Sequence, residues 1–171
     1  MHIKKEAAQR HTLAIMVDNE PGILARIAGL FTARGYNIES LTVSDVTADK
    51  AVSRITIVTS ASDHVMEQML AQLDRLVPVH SVKDLTAIGP HVERELALVK
   101  VAGSGDHRIE ALRLADVYRA RVVDATTTSF VFEVTGGPEK IDTFIALMRE
   151  VGLIEVARTG IVAMARGKDA A

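Results

Sequence analysis

Val17-Asp-Asn-Glu-Pro-Gly-Ile-Leu-Ala-Arg-Ile-Ala-Gly-Leu-Phe-Thr-Ala-Arg-Gly-Tyr-Asn-Ile-Glu-Ser-Leu41 decides the fold. It reads as a strand end, a cap, an amphipathic helix and a glycine turn into a second strand. Ile23, Leu24, Ile27, Leu30 and Phe31 fall on one face of a 3.6-residue helix, and Gly35 stands where a helix commonly stops. Asn19 and Gly22 flank the helix start, and Asn37 lies just past its end. A helix start carries unpaired N–H groups and partial positive charge, so it can hold a small carboxylate. That suits binding an amino acid without chemistry on it.

Outward from this stretch, residues 12–17 form an apolar, partly β-branched strand. Residues 36–46 and 51–60 follow as strands joined by a polar turn. Ser62 or Asp63 starts a second helix bearing Val65, Met66, Met69, Leu70, Leu73 and Leu76, and 79–87 is the closing strand. The order is βαββαβ. It recurs after a linker at 89–95: strand 96–102, helix 106–118 with Ile109, Leu112 and Ala115 on one face, strands 121–126 and 129–135, a helix opened by Gly136-Gly-Pro138, and strand 153–165. A shift of 85 positions sets Arg34 beside Arg119 and Glu39 beside Asp124. The fold class is therefore α+β, two ferredoxin-like βαββαβ domains with antiparallel sheets and helices on one face. The expected organisation is a loose tail at 1–10, a first domain at 11–88, the linker, and a second domain at 96–167. Residues 13–17 are apolar on both faces, which requires cover on both sides and points to pairing with another copy or domain.

The same shift places Ser104, His107 and Val122 opposite Asn19, Gly22 and Asn37. Binding therefore belongs to the first half. Taken singly, Asn19 is equally a helix cap, favourable by about 1 kcal/mol over alanine. Gly22 near a helix start costs about 0.5–1 kcal/mol relative to alanine, offset by a close ligand or a close second subunit. Asn37 alone is a turn residue.

The chain has 171 residues, 48% of them apolar, with 20 basic against 22 acidic side chains. Near-neutral charge leaves no field toward nucleic acid or anionic lipid. Cysteine is absent, which excludes disulfides, thiolate metal sites and thiol nucleophiles. The first ten residues lack a hydrophobic signal segment, so a cytoplasmic location is expected. His2, His11, His64, His80, His91 and His107 lack the spacing of a helical metal site. Gly103-Ser-Gly105 is followed by no Gly-Lys-Ser/Thr and is not a phosphate loop. Ser104, Asp106 and His107, neighbours in one loop, cannot take the facing geometry of a catalytic relay. RNA-recognition domains share the strand order but stack bases on sheet aromatics, for which Phe130 and Phe132 are the only strand candidates. A small ferredoxin-like enzyme would need an acid–base or nucleophilic constellation, and none is visible.

Asn19-Glu-Pro-Gly-Ile-Leu-Ala-Arg26 and Arg34-Gly-Tyr-Asn-Ile-Glu-Ser-Leu-Thr-Val43 resemble the amino-terminal ACT domain of acetolactate synthase (acetohydroxyacid synthase) small regulatory subunits. The resemblance continues through Ser53-Arg-Ile-Thr-Ile57, His91-Val-Glu-Arg-Glu95, Arg119-Ala-Arg-Val-Val-Asp124 and Glu155-Val-Ala-Arg-Thr-Gly160 to Ala165-Arg-Gly167. It implies a non-catalytic regulatory subunit in branched-chain amino acid biosynthesis, which activates a separate catalytic chain and confers feedback inhibition by valine. It further implies a homodimer through paired ACT domains, with valine at their interface. The effector contacts would be Asn19, Gly22, Ile23 and Leu24 from one copy and Asn37 with Ile38 from the other. No cofactor is expected in this chain; thiamine diphosphate, Mg2+ and FAD belong to the catalytic subunit. A nearer alternative is an amino-acid-sensing ACT protein that regulates a different enzyme.

Overall fold

The computed structural model describes residues 7–168. His2 and the first six residues of the tail expected at 1–10 lie outside the described residues; Gln9 and Arg10 already belong to the first strand. The chain divides into two compact units, one running to Val92 and resuming at Ile161, the other Glu93–Gly160.

The first unit is built from β1 (Gln9–Asp18), α1 (Ile23–Ala33), β2 (Ile38–Asp45), β3 (Val52–Ala61), α2 (Asp63–Asp74) and β4 (Val79–Asp84), with the short α3 (Leu85–Ile88) after them. The strands form an antiparallel sheet in the order β2-β3-β1-β4. Leu13, Ile15 and Val17 alternate along β1 onto the helix-facing side, where they meet Ile55 and Ile57 of β3, Ile27 and Phe31 of α1, and Met66, Met69 and Leu73 of α2. Each such side chain, fully buried, contributes roughly 1.5–3 kcal/mol by leaving water. The α1 stripe is narrower than its sequence suggests. Ile23, Ile27 and Phe31 are buried at i, i+4 and i+8, whereas Leu24 keeps 40% of its surface exposed.

Cover for the opposite face of β1 comes from within the chain. The expected closing strand at 79–87 stops at Asp84, whose carboxylate accepts the N–H groups of Thr86 and Ala87 and so starts α3. The expected strand at 153–165 is in fact two, β8 (Leu153–Arg158) and β9 (Val162–Ala165), parted at Gly160 with its φ of 86°. β9 returns to the first unit and packs Ala163 and Ala165 against Ala14 and Leu85. Arg54 Nη2 donates to Ala163 O at 2.8 Å, Thr42 Oγ1 to Ile161 O at 3.1 Å, and Ile161 N–H to Ser40 Oγ at 2.8 Å. The double apolar face of β1 thus ceases to argue for a second copy.

The second unit holds most of β5 (His91–Ala102), then α4 (Gly105–Val117), β6 (Arg121–Ala125), β7 (Ser129–Gly136), α5 (Pro138–Val151) and β8. Its antiparallel order is β6-β7-β5-β8, so the βαββαβ arrangement recurs. Ile141, Phe144, Ile145 and Met148 of α5 are buried as their spacing predicts. On α4 the buried residues are Ala111 and Ala115, while Ile109 and Leu112 are 62% and 41% exposed. The residues that α4 buries are thus small ones. The expected linker at 89–95 is largely strand, since β5 begins at His91. Its polar run conceals a buried carboxylate: Glu95 is 4% exposed and receives Arg158 of β8 at both oxygens, Nε to Oε2 at 3.1 Å and Nη2 to Oε1.

Removing one partner of a buried ion pair strands the other charge. Arg158→Ala is expected to destabilise the second unit by about 3 kcal/mol, measured by denaturant unfolding. A change below ~0.5 kcal/mol, the scale of an ordinary surface substitution, would rule out this role for the pair.

Candidate functional site

Asn19 follows β1 directly and does not cap α1. Its N–H donates to Ala51 O at 2.8 Å, and its Nδ2 donates to Asp45 Oδ1 at 3.1 Å and Lys50 O at 3.0 Å. Both partners are acceptors only, which fixes the orientation of the amide. Asn19 therefore latches the β2–β3 turn to the end of β1. With both Nδ2 hydrogens committed, Oδ1 is the atom left to meet a ligand, and it is an acceptor suited to an ammonium group.

The latched turn is itself a hydrogen-bonded network. Lys50 sits at φ 56°, its N–H bonded to Thr47 O at 3.0 Å. Thr47 Oγ1 accepts from Val52 N–H and Asp49 Oδ1 from Ala51 N–H, each at 3.1 Å. The Thr47 side chain first, then the Ala51 N–H, hold the Asp49 carboxyl below the usual carboxylate range. Asp45 also accepts from Ser53 Oγ at 3.1 Å. A turn was legible here; its partner Asn19, remote in sequence, was not.

Gly22 is the N-cap of α1, at φ 87° and ψ −10°. A Cβ there would meet nothing within 4 Å, so the glycine answers to left-handed backbone rather than to crowding. No side chain caps the helix and no acidic residue occupies its first turn. The first intrahelical bond is Arg26 N–H to Gly22 O at 3.0 Å, which leaves the Leu24 and Ala25 amides open at the positive end of the helix dipole. Ile23 is 6% exposed and belongs to the core, so it offers the site only backbone, while Leu24 presents an exposed apolar wall.

Asn37 and Ile38 lie beyond the other end of α1. Asn37 is exposed; its carbonyl accepts from Thr59 Oγ1 at 2.6 Å, and its side-chain amide makes no hydrogen bond among the described residues. Ile38 is half-buried against the core. An 11-residue helix spans about 16 Å, so one chain does not bring Asn19 and Asn37 together. The corresponding region of the second unit differs in kind. α4 already carries Asp106 in its first turn, which answers its own dipole, and Val122 lies inside β6.

Other candidates resolve into structure. Phe130 and Phe132 are 4% and 0% exposed in the second core, so they form no base-stacking platform. Among the described residues no three His, Asp or Glu side chains gather to hold a metal ion, and no helix is long and apolar enough to cross a membrane.

Residues 13–81 match the family described as an AHAS small subunit-like ACT domain, and residues 94–167 the family described as the small subunit of acetolactate synthase. The probable acetolactate synthase small subunit of Archaeoglobus fulgidus is 48% identical over 92% of this chain and 98% of its own length. The acetolactate synthase isozyme 3 small subunit of Salmonella typhimurium is 44% identical over 92% and 96%. The crystal structure of the acetolactate synthase small subunit from Thermotoga maritima superposes with a TM-score of 0.86 at 34% identity, covering 94% of this chain and 99% of that one.

Gly22→Ala must place a Cβ in left-handed backbone, and should cost about 1–2 kcal/mol without altering the core, as read from denaturant midpoints and amide spectra. Asp49 titrates lower in the folded chain than in the unfolded one. Its contribution is therefore present above the ordinary carboxylate range and fades as pH falls through the lowered value. The Ala51 amide should lose protection from exchange as pH falls below the ordinary carboxylate range, and Asp49→Asn should abolish that pH dependence.

Proposed function

The chain belongs to the acetolactate synthase small-subunit family, and from that premise we propose that it is the regulatory subunit of the enzyme in branched-chain amino acid biosynthesis. It binds a separate catalytic chain in the cytoplasm, raises that chain's activity, and returns it to a low level when valine accumulates. The catalytic chain holds thiamine diphosphate, Mg2+ and FAD; this one holds none and performs no chemistry.

The observation that carries this reading is the uncapped, acid-free start of α1 beside an asparagine whose free atom is an acceptor. Open amides of Leu24 and Ala25 suit a carboxylate, Asn19 Oδ1 an ammonium, and exposed Leu24 a branched aliphatic side chain. Asn37 and Ile38 complete the site from a second copy, because in their own chain they lie a helix length away. A ligand shared by two copies favours one packing of the pair over another. It shifts the catalytic subunit only by its differential affinity for the two states.

Added to an acetolactate synthase catalytic subunit, the chain should increase turnover, and valine should reverse the increase. Asn37→Ala should keep the activation while raising the valine needed for half-inhibition by roughly 10–150-fold, from the 1.5–3 kcal/mol of a hydrogen bond to a charged group. Unchanged valine sensitivity in that variant would remove Asn37 from the site. An unaltered catalytic rate on mixing would favour an amino-acid sensor of some other enzyme.

A further inference from the structure

Within the first unit, β2 brings two sets of residues almost next to each other. Asn37 and Ile38, at its start, bound the proposed effector site. Ser40 and Thr42, just beyond, grip Ile161. Ser40 Oγ accepts from the Ile161 N–H at 2.8 Å, and Thr42 Oγ1 donates to the Ile161 carbonyl at 3.1 Å. Both backbone polar groups of one buried residue are thus held by side chains of β2, and a buried peptide group needs such partners.

Register explains how one short strand serves both ends. Side chains along a strand alternate between faces, yet Ile38 and Leu41, three positions apart, both pack on the core. The pairing of β2 with β3 shifts between them: Ile38 lies opposite Thr59, and Ser40 opposite Val58. Glu39 is therefore the extra residue of a β-bulge. The bulge turns Ile38 to the core and leaves Ser40 and Thr42 on the opposite face, toward the returning segment. Ile161 is the residue at which the chain re-enters the first unit after Glu93–Gly160. Gly160 before it sits at φ 86°, and Arg54 fixes Ala163 just beyond.

We propose that Ser40 and Thr42 are positioning residues for feedback. They touch no effector; they couple the start of β2, which meets it, to the segment by which the chain returns from its second unit. This rests on the effector reading given above and adds the route by which binding is felt. A ligand that favours one position of the β2 start favours one position of Ile161, because two directional hydrogen bonds join them. Without those bonds the ligand keeps its own contacts and loses its influence on the returning segment.

The test pairs valine calorimetry with activity assays on the full chain and an acetolactate synthase catalytic subunit, for Ser40→Ala, Thr42→Val and Thr42→Ser. Ser40→Ala and Thr42→Val should bind valine within about threefold of the unmodified chain and still activate. Saturating valine should nevertheless remove less than half of that activation. Thr42→Ser, which keeps the hydroxyl, should respond as the unmodified chain does. Full inhibition in both hydroxyl-deleted variants overturns the coupling. Parallel loss of valine binding and inhibition overturns it too, since a grip that merely shaped the site would give that result. Both outcomes leave the effector reading standing. An unmodified chain that binds no valine, alone or with the catalytic subunit, defeats that reading and the coupling with it.

Discussion

Burial of β1 on both faces organises the first unit. One face, through Leu13, Ile15 and Val17, gathers α1 and α2; the other, through Ala14, receives α3 and β9. A central antiparallel strand can be apolar throughout only when both sides are covered. Here part of the second cover, β9, is supplied by residues that follow the whole second unit in sequence. Arg54 and Thr42 hold that returning segment by donating to its carbonyls. The end of β1 is thereby fixed, and with it Asn19, which joins this strand to the β2–β3 turn.

Two physical effects then shape the start of α1. Left-handed backbone at Gly22 turns the chain into the helix without a side-chain cap, and no carboxylate stands in the first turn to answer the dipole. The second unit solves the same problem with Asp106 at the start of α4. One βαββαβ frame therefore leaves a helix start open in one unit and satisfied in the other. This contrast supports the proposal that an effector would bind at the first unit, and it rests on charge placement rather than on fold.

The second unit is held by means that its polar surface does not advertise. Glu95 is buried because Arg158 meets both of its oxygens, and Asp142 accepts a further bond from Arg158 at 2.7 Å. Edge-to-face packing of Phe132 on Phe144 at 6.3 Å fills the core beneath. Two of the few aromatics in the chain are thus used for cohesion.

Alternation and helical periodicity by themselves determined the paired βαββαβ order, the buried faces of α1, α2 and α5, and the candidate residues around α1, because these are local patterns set by backbone geometry. Periodicity set Leu24 on the buried stripe of α1, and only the family resemblance implied Leu24 and Asn37 as contacts for an effector; both are exposed. Tertiary structure alone decided what is remote in sequence. It made Asn19 a latch across 26 and 31 positions instead of a cap, and turned the polar 91–95 run into strand by neutralising Glu95. It also set α4 on its alanines and sent β9 back to pack against the first unit. Each depends on a partner chosen by burial and charge pairing, and neither carries a sequence period from which it could be read.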